Sequence, residues 1–336
     1  MYIVTGATGF IGSNLLAEME SRGYGDIVAI DWFGDGQVAA DGSNPKEKWK
    51  NVAKRGAVRF VLPEQMMDFI KGHSSEIKAI LHLGAISSTT ETNVDKILQN
   101  NFQLTVGLYE FCREAGIQLI YASSAATYGS GEHGFVDRDD MQYIGSLRPL
   151  NPYGWSKNAT DKYMWSRTPR PGNPQVVGLK FFNVYGPNEY HKGDMMSVVR
   201  KFFDQYRTVG KVRLFKSYRE GYADGEQRRD FVWVGDCVNV MLWMLEHPQV
   251  SGLFNVGTGN ATSYNVVAQS IAKCMNIEPV IEYIDMPDSV RNQYQYFTEA
   301  DLTKLRSVGY DTPFTSVPDG VEQYVSGFLA TDDIYR

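Results

Sequence analysis

Seven residues near the start of the chain limit its fold more than any other stretch: Gly6-Ala7-Thr8-Gly9-Phe10-Ile11-Gly12. They follow a short β-branched run, Tyr2–Thr5. They open a segment, Phe10–Arg22, whose apolar residues Ile11, Leu15, Leu16 and Met19 recur at helical spacing. A strand that turns on glycines into a helix lets the backbone approach a pyrophosphate closely. The helix N-terminus then offers N–H groups and a positive dipole end. Gly6, Gly9, Phe10, Ile11 and Gly12 are therefore expected to hold a dinucleotide.

Further short apolar runs at Asp26–Ile30, Ala79–Leu83, Gln118–Ala122 and Gln175–Phe182 alternate with helical stretches. That alternation predicts an α/β fold with a parallel sheet covered on both faces. Residues 34–54 read as a polar loop and Pro169–Pro174 as a second break. Past residue 183 the alternation weakens, and it returns near Phe231–Glu246 and Leu253–Gly257. Residues 1–182 with 231–261 are expected to form the cofactor domain. Residues 183–230 with 262–336 would form an interleaved, smaller substrate lobe.

Composition narrows the partners. Lys and Arg number 33 against 39 Asp and Glu, a net charge of −6 with no dominant basic block. This argues against nucleic acid, so an anionic ligand must be held by local donors. Cys112, Cys237 and Cys274 are widely spaced, which fits a reducing cytosol and neither a disulfide framework nor a metal site. No leader-like segment is visible, and no apolar run approaches the roughly 18–20 residues of a membrane span. A soluble, cytoplasmic protein is expected.

The chemistry resides at three strand ends. Asp31 closes the second strand about 20 residues past the glycines, where a carboxylate accepts bonds from an adenosine ribose. That favours NAD, yet Lys46, Lys48, Lys50, Lys54 and Arg55 follow and can neutralise a 2′-phosphate. The residues leave NAD and NADP both open. His82-Leu83-Gly84-Ala85-Ile86-Ser87 ends another strand with small residues on which adenosine and ribose can lie, and His82 itself reads as a packed strand residue. Ser124, in Tyr121–Gly129, ends a third.

Tyr153 and Lys157, at i and i+4, share a helix face. The Lys157 ammonium favours tyrosinate, which can take a proton from a substrate hydroxyl while hydride leaves the carbon. Ser124 can bond the same oxygen.

Together with Phe181–Pro187, Arg229–Asp236 and Asn255–Gly259, these motifs resemble the extended short-chain dehydrogenase/reductase family that acts on nucleotide sugars. The resemblance covers nearly the whole chain. It implies a Rossmann-type doubly wound parallel sheet with a smaller interleaved substrate lobe. Ser87–Glu91, Ala122–Gly129, His191-Lys192-Gly193 and Tyr294–Leu302 resemble the ADP-L-glycero-D-manno-heptose 6-epimerases within that family. This resemblance implies NADP as cofactor and interconversion of two ADP-heptose epimers for lipopolysaccharide core. It also implies a homo-oligomer, a pentamer.

By the same resemblance Tyr153 and Lys192 are the two acid/base residues and Lys157 binds the nicotinamide ribose. Asp31, Trp32, Lys48, Leu83, Gly84, Ala85, Ile86, Ser87, Asn100, Val184 and Lys192 would touch the cofactor. Ser88, Asn183, Asp194, Lys201, Phe215, Lys216, Ser217, Tyr218, Arg229 and Tyr294 would line the substrate, with Arg229 on the diphosphate. Asp194 stands where the family usually has a small hydroxyl residue, Lys201 where His is common, and the loop after Asp31 is longer.

A side-chain carbinol C–H is not acidic, so inversion there calls for transient oxidation to a ketone that then rotates. Rotation moves the oxygen, which explains a use for a second base, Lys192. Dehydratases of this fold place an Asp-Glu pair where this chain has Ala125 and Ala126. A 4-epimerase is the nearest rival, and His191-Lys192-Gly193 discriminates against it. A non-catalytic cofactor sensor would not need Ser124, Tyr153 and Lys157 together.

Overall fold

Aliphatic runs of four to seven residues bounded by turn signals become strands, and seven of them join one sheet. The computed structural model describes residues 1–34, 45–167, 173–291 and 294–336. Its sheet contains β1 (Tyr2–Thr5), β2 (Ile27–Ile30), β3 (Val58–Val61), β4 (Ala79–His82), β5 (Gln118–Ser124), β6 (Val176–Phe181) and a last strand, Gly252–Val256. The spatial order is Gly252–Val256, β6, β5, β4, β1, β2, β3, and every pairing is parallel.

Parallel strands need crossover helices on both faces, so both faces must be apolar. Successive side chains point to opposite faces. Val4, Ala29, Leu81, Ile120 and Leu179 pack with α1 (Phe10–Ser21) and the Val234–Glu246 helix. Ile3, Val28, Ile80, Leu119 and Val176 pack with the Leu104–Ala115 and Pro152–Trp165 helices. The strand order reverses between β1 and β4, and a crevice opens at their carboxyl ends, where ligands bind in such sheets.

The remaining elements gather beside that crevice. Val212–Phe215 pairs with Ile281–Ile284, and Arg228–Arg229 with Thr262–Ser263. The Val198–Val209, Tyr264–Cys274 and Val317–Tyr324 helices enclose a third core around Phe202, Tyr206, Ile271 and Tyr324. Leu305 and Tyr310 join the core of the large sheet.

Three local expectations change. Phe231–Trp233 does not return to the large sheet; it pairs with Asn183–Tyr185 in a separate parallel ribbon, and Gly252–Val256 alone rejoins. The polar stretch 34–54 is not loop throughout, because Pro45–Val52 winds into 3₁₀ turns that seat Val52 in the sheet core. Residues 35–44 of that stretch, the side chain of Lys46, and residues 169–172 of the expected Pro169–Pro174 break lie outside the described residues. The edge strand β3 is not evident from the sequence, because Arg59 interrupts its short apolar run.

Candidate active site

The glycine turn fits a phosphate cradle. Gly6 has φ +66°, and a Cβ there would lie 2.6 Å from the backbone N of Gly84. A Cβ on Gly12 would lie 2.2 Å from the Gly6 carbonyl oxygen. Gly9 caps α1 in extended conformation with no side-chain cap, and no acidic residue occupies the first turn. The first N–H groups of α1 are thus left to a ligand, with no carboxylate competing. Gly6→Ala is expected to destabilise the fold by at least about 1–2 kcal/mol from the left-handed conformation alone. Chemical denaturation measures this, and an unchanged midpoint would contradict the cradle geometry.

Asp31 lies at the end of β2 and is almost fully buried. Its Oδ2 accepts from the Thr8 backbone N at 3.0 Å and from Thr8 Oγ1 at 2.7 Å. Its Oδ1 accepts from the Trp32 N at 2.8 Å and pairs with Lys48 Nζ at 2.9 Å. The carboxylate therefore locks the turn to the strand, and Lys48 neutralises it. Lys48 is held by the segment around it. Asn51 donates to the Thr8 and Asn188 carbonyls and reaches His191 Nδ1 at 3.2 Å. Tyr335 and Arg336 fold back onto Glu47, Asn188 and Glu18. Trp32 is half exposed beside this site.

β4 forms the opposite wall. Leu83, Gly84, Ala85 and Ile86 are partly buried and Ser87 is exposed. Gly84 N donates to Thr5 Oγ1 at 3.2 Å. His82 is sealed between Thr5 Oγ1 (2.6 Å) and Thr105 Oγ1 (2.9 Å). Burial, aided by the Lys157 charge, pushes its pKa down to about 3. It is a neutral packing residue. Asn100 turns its amide back onto the Lys96 carbonyl. Its neighbour Asn101, which the sequence reading passed over, is fully buried. It clamps Ile86 N and O and donates to Ser156 Oγ at 3.1 Å.

Ser124, Tyr153 and Lys157 converge beyond that clamp. Asn151 caps the Pro152–Trp165 helix by accepting from Gly154 N, with Pro152 at the first turn. Helical spacing then puts Tyr153 and Lys157 on one face. The Tyr153 hydroxyl shares a hydrogen bond with Ser124. Burial raises its pKa, and that bond opposes the rise. Lys157 Nζ donates to the Ala122 carbonyl at 2.8 Å. Burial pulls its pKa down to about 8, against the charge of Asp161.

Lys192 approaches from the other side. It lies in the turn Tyr190–Met195, with Nζ 5.4 Å from the Phe10 ring centroid at the start of α1. Met195 Sδ accepts from Thr89 Oγ1 at 3.8 Å, which joins this turn to the loop after β4. Burial lowers the Lys192 pKa, and the charge of Glu189 opposes that. Glu189 is fully buried and accepts from Ser197 Oγ at 2.7 Å and Tyr324 OH at 3.1 Å.

Of the expected substrate residues, Phe215, Arg229 and Tyr294 come together. The Arg229 guanidinium lies 5.2 Å from the Tyr294 ring and 6.0 Å from that of Tyr264. Phe215 meets Tyr294 edge-on at 6.2 Å. Asn183 is exposed, and Val184 half-buried, on the ribbon beside them. Ser217 bonds Asp224 through its N, and Ser88 bonds Thr90. Lys216 and Tyr218 instead point to Asp285 at the surface. Asp194 is exposed, and its carbonyl accepts from Lys201 Nζ, so the two out-of-pattern residues are partners.

A seven-stranded parallel sheet with a glycine turn at the strand-order reversal and a Ser-Tyr-Lys group beside it defines a dinucleotide-dependent oxidoreductive fold. The chain belongs to the NAD dependent epimerase/dehydratase family, whose model matches residues 2–257. It resembles the ADP-L-glycero-D-manno-heptose-6-epimerase of Nitratidesulfovibrio vulgaris (strain DP4), with 46% identity over 336 residues and 99% of each chain covered. The crystal structure of the Helicobacter pylori ADP-L-glycero-D-manno-heptose-6-epimerase superposes with a TM-score of 0.77 at 26% identity, covering 98% of this chain and 96% of that one. MoeE5, solved in complex with UDP-glucuronic acid and NAD, gives 0.69 at 27% identity, covering 95% and 96%.

Proposed function

We propose that this chain interconverts ADP-D-glycero- and ADP-L-glycero-D-manno-heptose by inverting C6. The reading is carried by Tyr153 on the Pro152–Trp165 helix beside Ser124, with Lys192 in the separate Tyr190–Met195 turn over Phe10 at the start of α1; these two are proposed as the acid/base groups. Relatives named as 6-epimerases along the full chain support it. A nicotinamide bound in the crevice supplies the oxidising and reducing equivalents. Tyr153, backed by Ser124 and the Lys157 cation, removes the hydroxyl proton in one orientation. After the C6 keto group rotates, Lys192 serves the oxygen in its new place. Phe215, Arg229 and Tyr294 hold the nucleotide end, with Arg229 on the diphosphate. Residues 183–233 and 262–336, apart from Leu305 and Tyr310, which pack on the large sheet, act as the substrate lobe, and the rest of the chain as the cofactor domain.

The cofactor proposed is NADP, with NAD as the alternative, which the family's description and the NAD in the MoeE5 complex favour. Lys48 already neutralises Asp31, so the carboxylate no longer repels a 2′-phosphate, and a second phosphate contact is open to Lys48. Lys48→Met is expected to lower affinity for NADP about tenfold or more while leaving NAD nearly unaffected, since one charge-assisted bond is worth about 1.5–3 kcal/mol. Fluorescence titration with each nucleotide decides it, and equal losses for both would favour NAD.

No helix among the described residues is long and apolar enough to cross a membrane. The working form proposed is a cytoplasmic homo-oligomer, a pentamer, that supplies heptose for lipopolysaccharide core. Light scattering after size exclusion tests the pentamer. The activity is tested by incubating purified protein with ADP-D-glycero-D-manno-heptose and following C6 by NMR. Appearance of the L-glycero epimer is expected. No conversion of it, with turnover of a UDP-hexose instead, would replace the reading with a 4-epimerase.

A further inference from the structure

Directly behind the Ser-Tyr-Lys group lies a closed polar network that the proposed chemistry does not yet use. Asp161 is one turn past Lys157 on the same helix and is completely buried. It accepts from Tyr121 OH at 2.8 Å, Ser123 Oγ at 2.8 Å and Lys180 Nζ at 2.6 Å. Lys180, 1% exposed, also donates to Thr127 Oγ1 at 2.8 Å, and Thr127 in turn donates to the Ser124 carbonyl at 2.8 Å. The network thus ties β5, β6 and the catalytic helix together at the residue next to Ser124.

A buried ion pair is weak evidence for stability, since well-packed apolar residues often replace one at no loss. Its position suggests another use. We propose that Asp161, paired with Lys180, is a positioning residue that fixes Ser124 in register with Tyr153 and sets a carboxylate one helical turn from Lys157. The proposal rests on Tyr153 and Lys157 being the redox pair.

The groups packed around this site are consistent with it. His82 on β4 is neutral, and Tyr121 on β5 and Tyr128 in the following turn are held un-ionised by burial. Lys180 on β6 and Tyr109 on the Leu104–Ala115 helix complete the shell. Asp161 is therefore the negative charge available to offset burial of Lys157, and it opposes the fall of that group's pKa to about 8. A group whose pKa is depressed by burial loses its proton earlier still when its anionic neighbour is removed.

The test is Asp161→Asn in the full chain, with kcat and KM measured from about pH 6 to 10, a range on both sides of the value of about 8 given for Lys157. We expect kcat to fall about 10- to 100-fold, as for a small misplacement of a reacting group, with KM little changed. The alkaline limb of the kcat profile should move to lower pH. Asp161→Asn with Lys180→Met removes the unpaired cation and carries the test if the single variant does not fold.

A lowered kcat with little change in KM in the double variant supports the proposal, the limb being read in Asp161→Asn, where the anion alone is lost. A wild-type kcat in the double variant would overturn it and leave the pair as packing alone. Tyr153→Phe runs alongside. Full turnover in that variant would mean that the underlying reading has failed. A dead Tyr153→Phe with an unaltered Asp161→Asn profile would mean that this proposal alone has failed.

Discussion

Tyr153→Phe is expected to lower kcat for epimerisation about 10²- to 10⁴-fold, the usual contribution of one positioned acid/base, with KM close to wild type. In the proposed mechanism the phenol removes the proton as C6 is oxidised. Ser124 is bonded to Tyr153, but an aliphatic hydroxyl is a far weaker acid than a phenol and cannot take its part. Lys157 is committed to the Ala122 carbonyl. The hydroxyl alone is lost in the variant, so the ring still fills its place and stability should hold. Epimerisation must fall equally in both directions, because the equilibrium constant does not change. The asymmetry between isomers appears instead in a half-reaction. Bleaching or growth of the cofactor's near-ultraviolet absorbance on mixing with each isomer separately should be suppressed for one and persist for the other. Wild-type rates with both isomers would sink the two-base scheme.

Lys192→Met is expected to produce the mirror image. Net epimerisation falls about 10²-fold or more, and the half-reaction that survives is that of the opposite isomer. Methionine keeps an unbranched apolar stem of similar length and removes the ammonium that lies over Phe10. If Lys192 served only to hold phosphate, KM would rise and both half-reactions would slow together. An unchanged kcat with a raised KM is therefore the result that reassigns it. Glu189 predicts the pH behaviour of the wild type: its charge opposes the burial that lowers the Lys192 pKa, so Lys192 keeps its proton to higher pH than burial alone would allow.

The part of the site that sequence reveals is the part built from local geometry. Gly6, Gly9 and Gly12 are spaced by one turn, Tyr153 and Lys157 by another, and Ser124 ends an apolar run; each can be read within a few residues. What escapes is set by contacts between distant segments. Asp161 and Lys180 meet only because β6 lies beside β5. Asn100 was singled out while Asn101 is the buried clamp. Leu98–Gln103 is π-helical there, and its extra residue per turn changes which side chain faces inward. Pro45–Val52 looks polar in sequence, yet Val52 and Asn51 are buried against the sheet and the glycine turn. The Phe231–Trp233 run has the composition of a sheet strand, and its parallel pairing with Asn183–Tyr185 depends on the long crossover through residues 186–230, which no local pattern encodes. The sheet itself was legible because strands covered on both faces leave continuous apolar runs.

The central claim is that C6 is inverted by oxidation and reduction within one crevice, with Tyr153 and Lys192 handling only the hydroxyl proton. Running the reaction with ADP-D-glycero-D-manno-heptose in D2O and reading C6 by NMR tests this most directly. The account predicts L-glycero product that retains its original hydrogen at C6. Deuterium at C6 in the product would show that the carbon exchanges its hydrogen with solvent, and would contradict the account.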